Sequence, residues 1–123
     1  MPYFSIIIPT YNRLPLLKHA IESVLSQQFS SYEILVVDDG STDGTWEYLE
    51  EIKHVARSFR QKNAGPGSAR NLGIRHAIGE FIIFLDSDDL WLPWTLSTFK
   101  YAIDNVQGAS FVVGPCIRFT NEL

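Results

Sequence analysis

Three carboxylates occupy four positions at the end of an apolar run: in FIIFLDSDDLW, residues 81–91, Asp86, Asp88 and Asp89 follow five apolar residues. Negative charge concentrated beside a buried segment costs folding free energy unless something positive offsets it. In an extended D-x-D, residues two apart point the same way, so Asp86 and Asp88 can share one ligand. Hard carboxylate oxygens suit Mg²⁺ or Mn²⁺, and Mg²⁺ completes its shell with water and phosphate oxygens. The chemistry expected here is a divalent cation carrying a phosphorylated ligand. Spacing alone makes D-x-D a weak motif. Its plainer alternative is that the acids favour the positive end of the helix that follows.

Three further stretches carry polar groups of the same kind. In DDGST, Asp38 and Asp39 follow an apolar run and Gly40 permits a tight turn. A carboxylate there can accept from a base N–H or a ribose hydroxyl, or simply form an Asx turn; one acid of the pair is expected to do only the latter. In PTYNR, Tyr11 offers a flat face for stacking on a base, with Asn12 and Arg13 as polar neighbours; loop packing for Tyr11 and a helix cap for Asn12 are the competing roles. In NAGPGSARN, glycines lead into a helix whose N-terminus can face an anion, and Arg70 is placed to reach a phosphate or a base carbonyl. Neither a dinucleotide fingerprint nor a phosphate-binding G-x-x-x-x-G-K-[ST] loop is present.

The elements that must position these residues are short. FSIII (4–8), EILVV (33–37) and FIIFL (81–85) have the β-branched, non-alternating character of strands covered on both faces. VARSF (55–59) reads as an edge strand and SFVVG (110–114) as another strand. Leu14, Leu17, Ile21, Val24 and Leu25 form one helical stripe, with Pro15 in its first turn. Trp46, Leu49 and Ile52 form a second, with Ser41 or Asp43 as N-cap. Ala69, Leu72, Gly73 and His76 form a third; Leu92, Leu96, Phe99, Ile103 and Val106 form a fourth. Strands alternating with helices predict an α/β fold, a three-layer α/β/α sandwich around an open, mainly parallel twisted sheet. Ligands in such sheets bind outside the carboxyl ends of the strands, where PTYNR, DDGS and DSDD all lie.

Composition narrows the classes. A chain of 123 residues with 46 % apolar content supports one domain with one core. A net charge of −4 argues against a nucleic-acid partner. The lone Cys116 gives no disulfide framework and no cysteine-based zinc site, and is expected to be buried and inert; a reduced, cytoplasmic setting fits. No apolar run approaches the ~20 residues of a membrane helix, and no signal peptide is read. His19, His54 and His76 have no metal-ligand spacing.

Together, FSIIIPTYNR, SVLSQQF, YEILVVDDGSTDGT, NAGPGSARNLGI and GEFIIFLDSDD resemble the nucleotide-sugar-binding half of a family 2 glycosyltransferase with the GT-A fold, in the family's order and over nearly the whole chain. The resemblance implies a nucleoside-diphosphate sugar donor, often a UDP-sugar. It sets Pro9 and Thr10 with their backbone against the nucleotide, Tyr11 against the base and Asp39 hydrogen-bonding the base N–H; Asn12 and Asp38 are counted among the candidate nucleotide-binding residues. Arg70 then lies near base or phosphates, Asp86 at ribose or sugar, and Asp88 on Mg²⁺ or Mn²⁺. It implies inverting transfer to an acceptor hydroxyl, on a saccharide or a lipid-linked acceptor at the cytosolic face of a membrane. The family's catalytic acid usually lies downstream of D-x-D, where this chain has only Asp104 and Glu122. The expectation is therefore that residues 1–123 are the donor-binding part of a domain truncated on its C-terminal side. The competing reading is a non-catalytic nucleotide-sugar-binding module. A receiver-type phosphoacceptor domain lacks support, because PTYN and GPC stand where its acidic pair and lysine belong.

Overall fold

A computed structural model of the protein describes residues 1–106 and 108. Four βα units follow one another: β1 (Phe4–Thr10), α1 (Leu14–Leu25), β2 (Tyr32–Asp38), α2 (Thr45–Glu51), β3 (Arg57–Arg60), α3 (Pro66–His76), β4 (Phe81–Phe84) and α4 (Thr95–Asn105). The four strands form one sheet in the order β3-β2-β1-β4, and every pairing is parallel. This is the α/β architecture expected, with β3 at an edge. The expected strand at 110–114 and Cys116 lie outside the described residues.

All seven residues of β1 are buried, which explains its lack of alternation. Phe4, Ile6 and Ile8 join Ile34 and Val36 of β2 in a core closed by Leu17, Ala20, Ile21 and Val24 of α1, Leu49 of α2 and Leu96 of α4. The other face of β1 meets α3 at very close range. A Cβ added to Gly73 would stand 2.6 Å from Ile7 Cγ2, so the helix packs on the sheet only because that position has no side chain.

The far end of the sheet is tied by Glu33. Its carboxylate accepts from Ser5 Oγ (2.6 Å), the Ile78 N–H (2.8 Å) and Arg57 Nη1 (3.1 Å), while Ser5 Oγ accepts from the Gly79 N–H (2.7 Å). The turn between α3 and β4 is thus bonded to β1 and β2, which fixes the level at which β4 starts.

Strand order then locates the site. From β1 the chain winds outward through β2 to β3, then crosses back to place β4 on the other side of β1. Order reverses between β1 and β4, and such a switch point opens a crevice at the strands' carboxyl ends. Thr10 is level with Asp38, and Asp38 with Arg60, whereas β4 ends with Phe84 beside Ile7. The residues after Phe84 therefore pass beside the last turn of β1, and Leu85 N–H still donates to the Ile7 carbonyl (3.0 Å).

Candidate functional site

A cleft of about 500 Å³ opens at that switch point. Pro9, Thr10, Tyr11 and Arg13 line it from β1 and its connection; Asp39 and Asn63 from β2 and the approach to α3; Arg70 from α3; and Asp86, Ser87 and Asp88 from the turn after β4. A shallower hollow beside it, lined by Gly40, Arg60, Gln61, Lys62 and Asn63, holds no carboxylate.

The acidic corner forms by a route different from the extended D-x-D expected. Asp89 N–H donates to the Asp86 carbonyl (3.0 Å), closing residues 86–89 into a turn. That turn gathers one carboxylate oxygen each from Asp86, Asp88 and Asp89 within 4.8 Å of one another. Nor do these acids cap a helix: α4 begins only at Thr95, six residues beyond Asp89, because Pro93 and the exposed Leu92 and Trp94 intervene before the helical stripe takes hold. Burial pushes the Asp89 carboxyl up, and the neighbouring charges of Asp88 and Asp86 push it further. Asp86 and Asp88 are each met by a guanidinium: Arg70 Nη2 lies 2.7 Å from Asp86 Oδ1, and Arg13 Nη1 lies 3.1 Å from Asp88 Oδ2. Three converging hard-oxygen donors with no imidazole or thiolate among them fit Mg²⁺ or Mn²⁺.

Asp39 is 4 % exposed and faces inward from the cleft floor. Its carboxylate accepts from Gln61 Nε2 (2.8 Å), the Ala64 N–H (2.8 Å), the Gly65 N–H (3.0 Å) and, more weakly, Asn63 Nδ2 (3.3 Å). Burial alone would raise its pKa; the bonds from Gln61, Ala64 and Gly65 outweigh burial and hold it below the usual carboxylate range. The anion expected at the start of α3 is thus met internally, by Asp39. Thr10 Oγ1 is buried without a partner among the described residues, and the Thr10 carbonyl accepts from the Asp39 N–H (2.9 Å). Tyr11, 46 % exposed, presents its ring at the cleft mouth.

Two expected binding residues do not line the cleft. Asp38 is the acid that makes the turn: Oδ1 accepts from the Ser41 N–H (2.9 Å), and Oδ2, fully buried, faces Arg60 Nε at 3.6 Å. Being the last residue of β2, it points to the sheet face opposite its neighbour Asp39. Asn12 sits at φ 50°, and its Oδ1 accepts from the Thr42 N–H (2.8 Å) while its own N–H donates to Ser41 Oγ (2.9 Å). It buckles the two connections together instead of capping α1. Asp43 does that work from a distance: Oδ2 accepts from the Leu14 N–H (3.1 Å) and Oδ1 from the Thr45 N–H (3.2 Å), serving the first turns of both α1 and α2.

Arg13, Gln61 and Asn63 are the contributors that residue spacing does not mark. Arg13 carried the one available signal, a cation in the same rim loop as Tyr11. Gln61 and Asn63 reach Asp39 only through the crossover after β3.

The profile described as Glycosyl transferase family 2 matches residues 5–122. The chain belongs to glycosyltransferase family 2. An uncharacterized glycosyltransferase of Rickettsia felis is 54 % identical to the family 2 chain over 89 residues, covering 71 % of it and 15 % of the relative. A Campylobacter jejuni protein named GalNAc(5)-diNAcBac-PP-undecaprenol beta-1,3-glucosyltransferase is 38 % identical over 122 residues, covering 95 % of the chain and 39 % of that protein. The chain therefore spans well under half the length of these relatives. Among solved structures, S. aureus TarS 1-349 in complex with UDP superposes with a TM-score of 0.78 at 32 % identity, covering 92 % of this chain and 38 % of that one. The Pyrobaculum calidifontis mannosyltransferase PcManGT, solved with GDP-Man and Mn²⁺, superposes at 0.69 with 32 % identity, covering 78 % and 30 %. These matches establish the GT-A-type α/β fold of the family 2 chain. No helix among its described residues is long and apolar enough to cross a membrane.

Proposed function

We propose that this chain binds a nucleoside-diphosphate sugar, UDP-linked in the first instance, as the donor half of an inverting glycosyltransferase. The observation that carries this reading is the meeting of Tyr11, Asp39, Arg70, Asp86 and Asp88 in one cleft at the switch point, although they lie up to 77 residues apart in sequence. The likeness to structures solved with UDP and with GDP-Man supports it. In this reading the base lies against Tyr11 above the Asp39 floor, with Pro9 and Thr10 as the wall. Asp86 and Arg70 flank ribose and phosphates. Asp88, aided by Asp86 and Asp89, holds Mg²⁺ or Mn²⁺. When bound, the cation supplies Lewis-acid neutralisation of the charge that develops on the departing diphosphate.

The acceptor is a saccharide or lipid-linked hydroxyl, as the Campylobacter relative's name suggests. Its proton must go to a general base. The cleft carboxylates are engaged: Asp39 by four donors, Asp86 by Arg70 and Asp88 by Arg13. With Asp89 given to the cation in this reading, the base is contributed from outside this cleft, and the chain on its own is expected to bind donor without transferring it.

Titration calorimetry with UDP and GDP, with and without Mn²⁺, tests the assignment. UDP is expected to bind more tightly with Mn²⁺, and Asp88→Ala to remove that gain. The loss should be roughly 10–100-fold or more, the cost of losing even an outer-shell partner. Nucleotide binding indifferent to both Mn²⁺ and Asp88→Ala overturns it.

A further inference from the structure

The two carboxylates of D-x-D are already neutralised, each by an arginine from a different connection. Arg70 belongs to α3 and pairs with Asp86. Arg13 stands at the start of α1, and its guanidinium has Asp88 as its sole acidic partner among the described residues. Both members of the second pair are about half exposed, at 51 % and 47 %, so their separation disrupts no core. A guanidinium and a divalent cation cannot both lie against one carboxylate oxygen without strong mutual repulsion. A cation that takes Asp88 Oδ2, the oxygen Arg13 holds, must therefore dislodge Arg13. The freed side chain still lines the cleft, beside the position that phosphates bridged to Asp88 through a cation would take, and its planar fork matches phosphate oxygens.

We propose that Arg13 is a positioning residue that exchanges counter-ions. It closes Asp88 while the cleft is empty and moves to the diphosphate when the cation takes Asp88, so that cation and nucleotide enter as a unit. One salt bridge is replaced by two complementary contacts, Asp88 to cation and Arg13 to phosphate. Either ligand alone breaks the pair without satisfying both halves. The inference rests on the donor-binding reading and assigns the coupling between its two ligands to one side chain.

The test uses the purified protein, with free Mn²⁺ followed by electron paramagnetic resonance and UDP by calorimetry. Arg13→Gln is expected to bind Mn²⁺ alone roughly two- to fivefold more tightly, the reach of an exposed ion pair. UDP in saturating Mn²⁺ should bind it roughly tenfold more weakly, as for loss of a charge-assisted bond. The factor by which each ligand strengthens the other then falls by about tenfold, equally in both directions. Arg13→Lys retains charge without the fork and should fall between. Mn²⁺ affinity and coupling within about twofold of wild type in Arg13→Gln overturn the inference and leave donor binding standing. Parallel weakening of both ligands with a lowered melting temperature also overturns it, since that marks a purely structural arginine. Absence of UDP binding by the wild-type protein removes the donor reading itself, and the inference with it.

Discussion

Asn12 shows how much of the site depends on a residue that does not line it. Its φ of 50° lies in the left-handed region, which non-glycine residues adopt at a cost that asparagine bears best. Two hydrogen bonds to the Ser41–Thr42 connection hold it there. Between them the rim loops carrying Tyr11, Arg13 and Asp39 keep their separation. Asn12→Ala loses the acceptor and keeps the strain, so the protein should lose about 1–2 kcal/mol. Asn12→Asp retains the acceptor and should lose under half as much. Equal melting temperatures for Asn12→Ala and wild type would show that the buckle contributes nothing. The identity of Asn12 was legible in the sequence as a polar rim residue; its partner, thirty positions away, was not.

Helix α3 offers a contest of two known magnitudes. Replacing a helical glycine by alanine ordinarily gains ~1 kcal/mol. At Gly73 the new Cβ would lie 2.6 Å from Ile7 Cγ2 and 3.2 Å from Cγ1, an overpacking that costs about 1–3 kcal/mol. Ile7 is fully buried and has nowhere to move, so the clash should win. Gly73→Ala is expected to lower stability by up to about 2 kcal/mol on these figures. Combined with Ile7→Ala it should be less harmful than the sum of the single changes, which denaturant melts of the three variants would show. Strictly additive losses would mean that α3 does not bear on Ile7. Because Arg70 is carried on this helix, a shifted α3 should also weaken UDP binding. The helical stripe containing Gly73 could be read from spacing, but the need for glycine there arises from the sheet surface opposite.

For the whole molecule, three acids share one sign of pH dependence. Burial alone would raise the carboxyls of Glu33, Asp39 and Asp43; hydrogen bonds outweigh it and hold each below its ordinary value of 4.5 for Glu or 3.8 for Asp. The unfolded chain therefore binds more protons than the folded one in acid. The stability these groups contribute is present above their ordinary values and is lost as pH falls through them toward the lowered ones. Asp89, raised, works in the opposite direction, as one group against three. The melting temperature should be nearly level from pH 7 to about 5 and fall steeply below about 4. Glu33→Gln combined with Asp39→Asn should lower the plateau and flatten the acid limb. An acid limb as steep in that double variant as in wild type would place the effect elsewhere. These acids sit at opposite ends of the sheet, Glu33 at the closed end and Asp39 and Asp43 at the cleft end, so acid should loosen both together.

Strand and helix order, parallel sheet and rim location were determined by the sequence alone, because burial on both faces forces unbroken β-branched runs and α/β crossovers admit few arrangements. The short motifs carried the family because each is tied to an element's end: three run out of a strand, SVLSQQF closes α1 and NAGPGSARNLGI opens α3. Only the tertiary structure decided how the acids are used. Asp38 turns inward and Asp39 toward the loop before α3 because adjacent strand residues face opposite ways. The 86–89 segment closes into a turn, and Arg13 meets Asp88 across 75 positions of sequence. Contacts of that kind depend on sheet register and on the reversal of strand order beside β1, which no local spacing encodes.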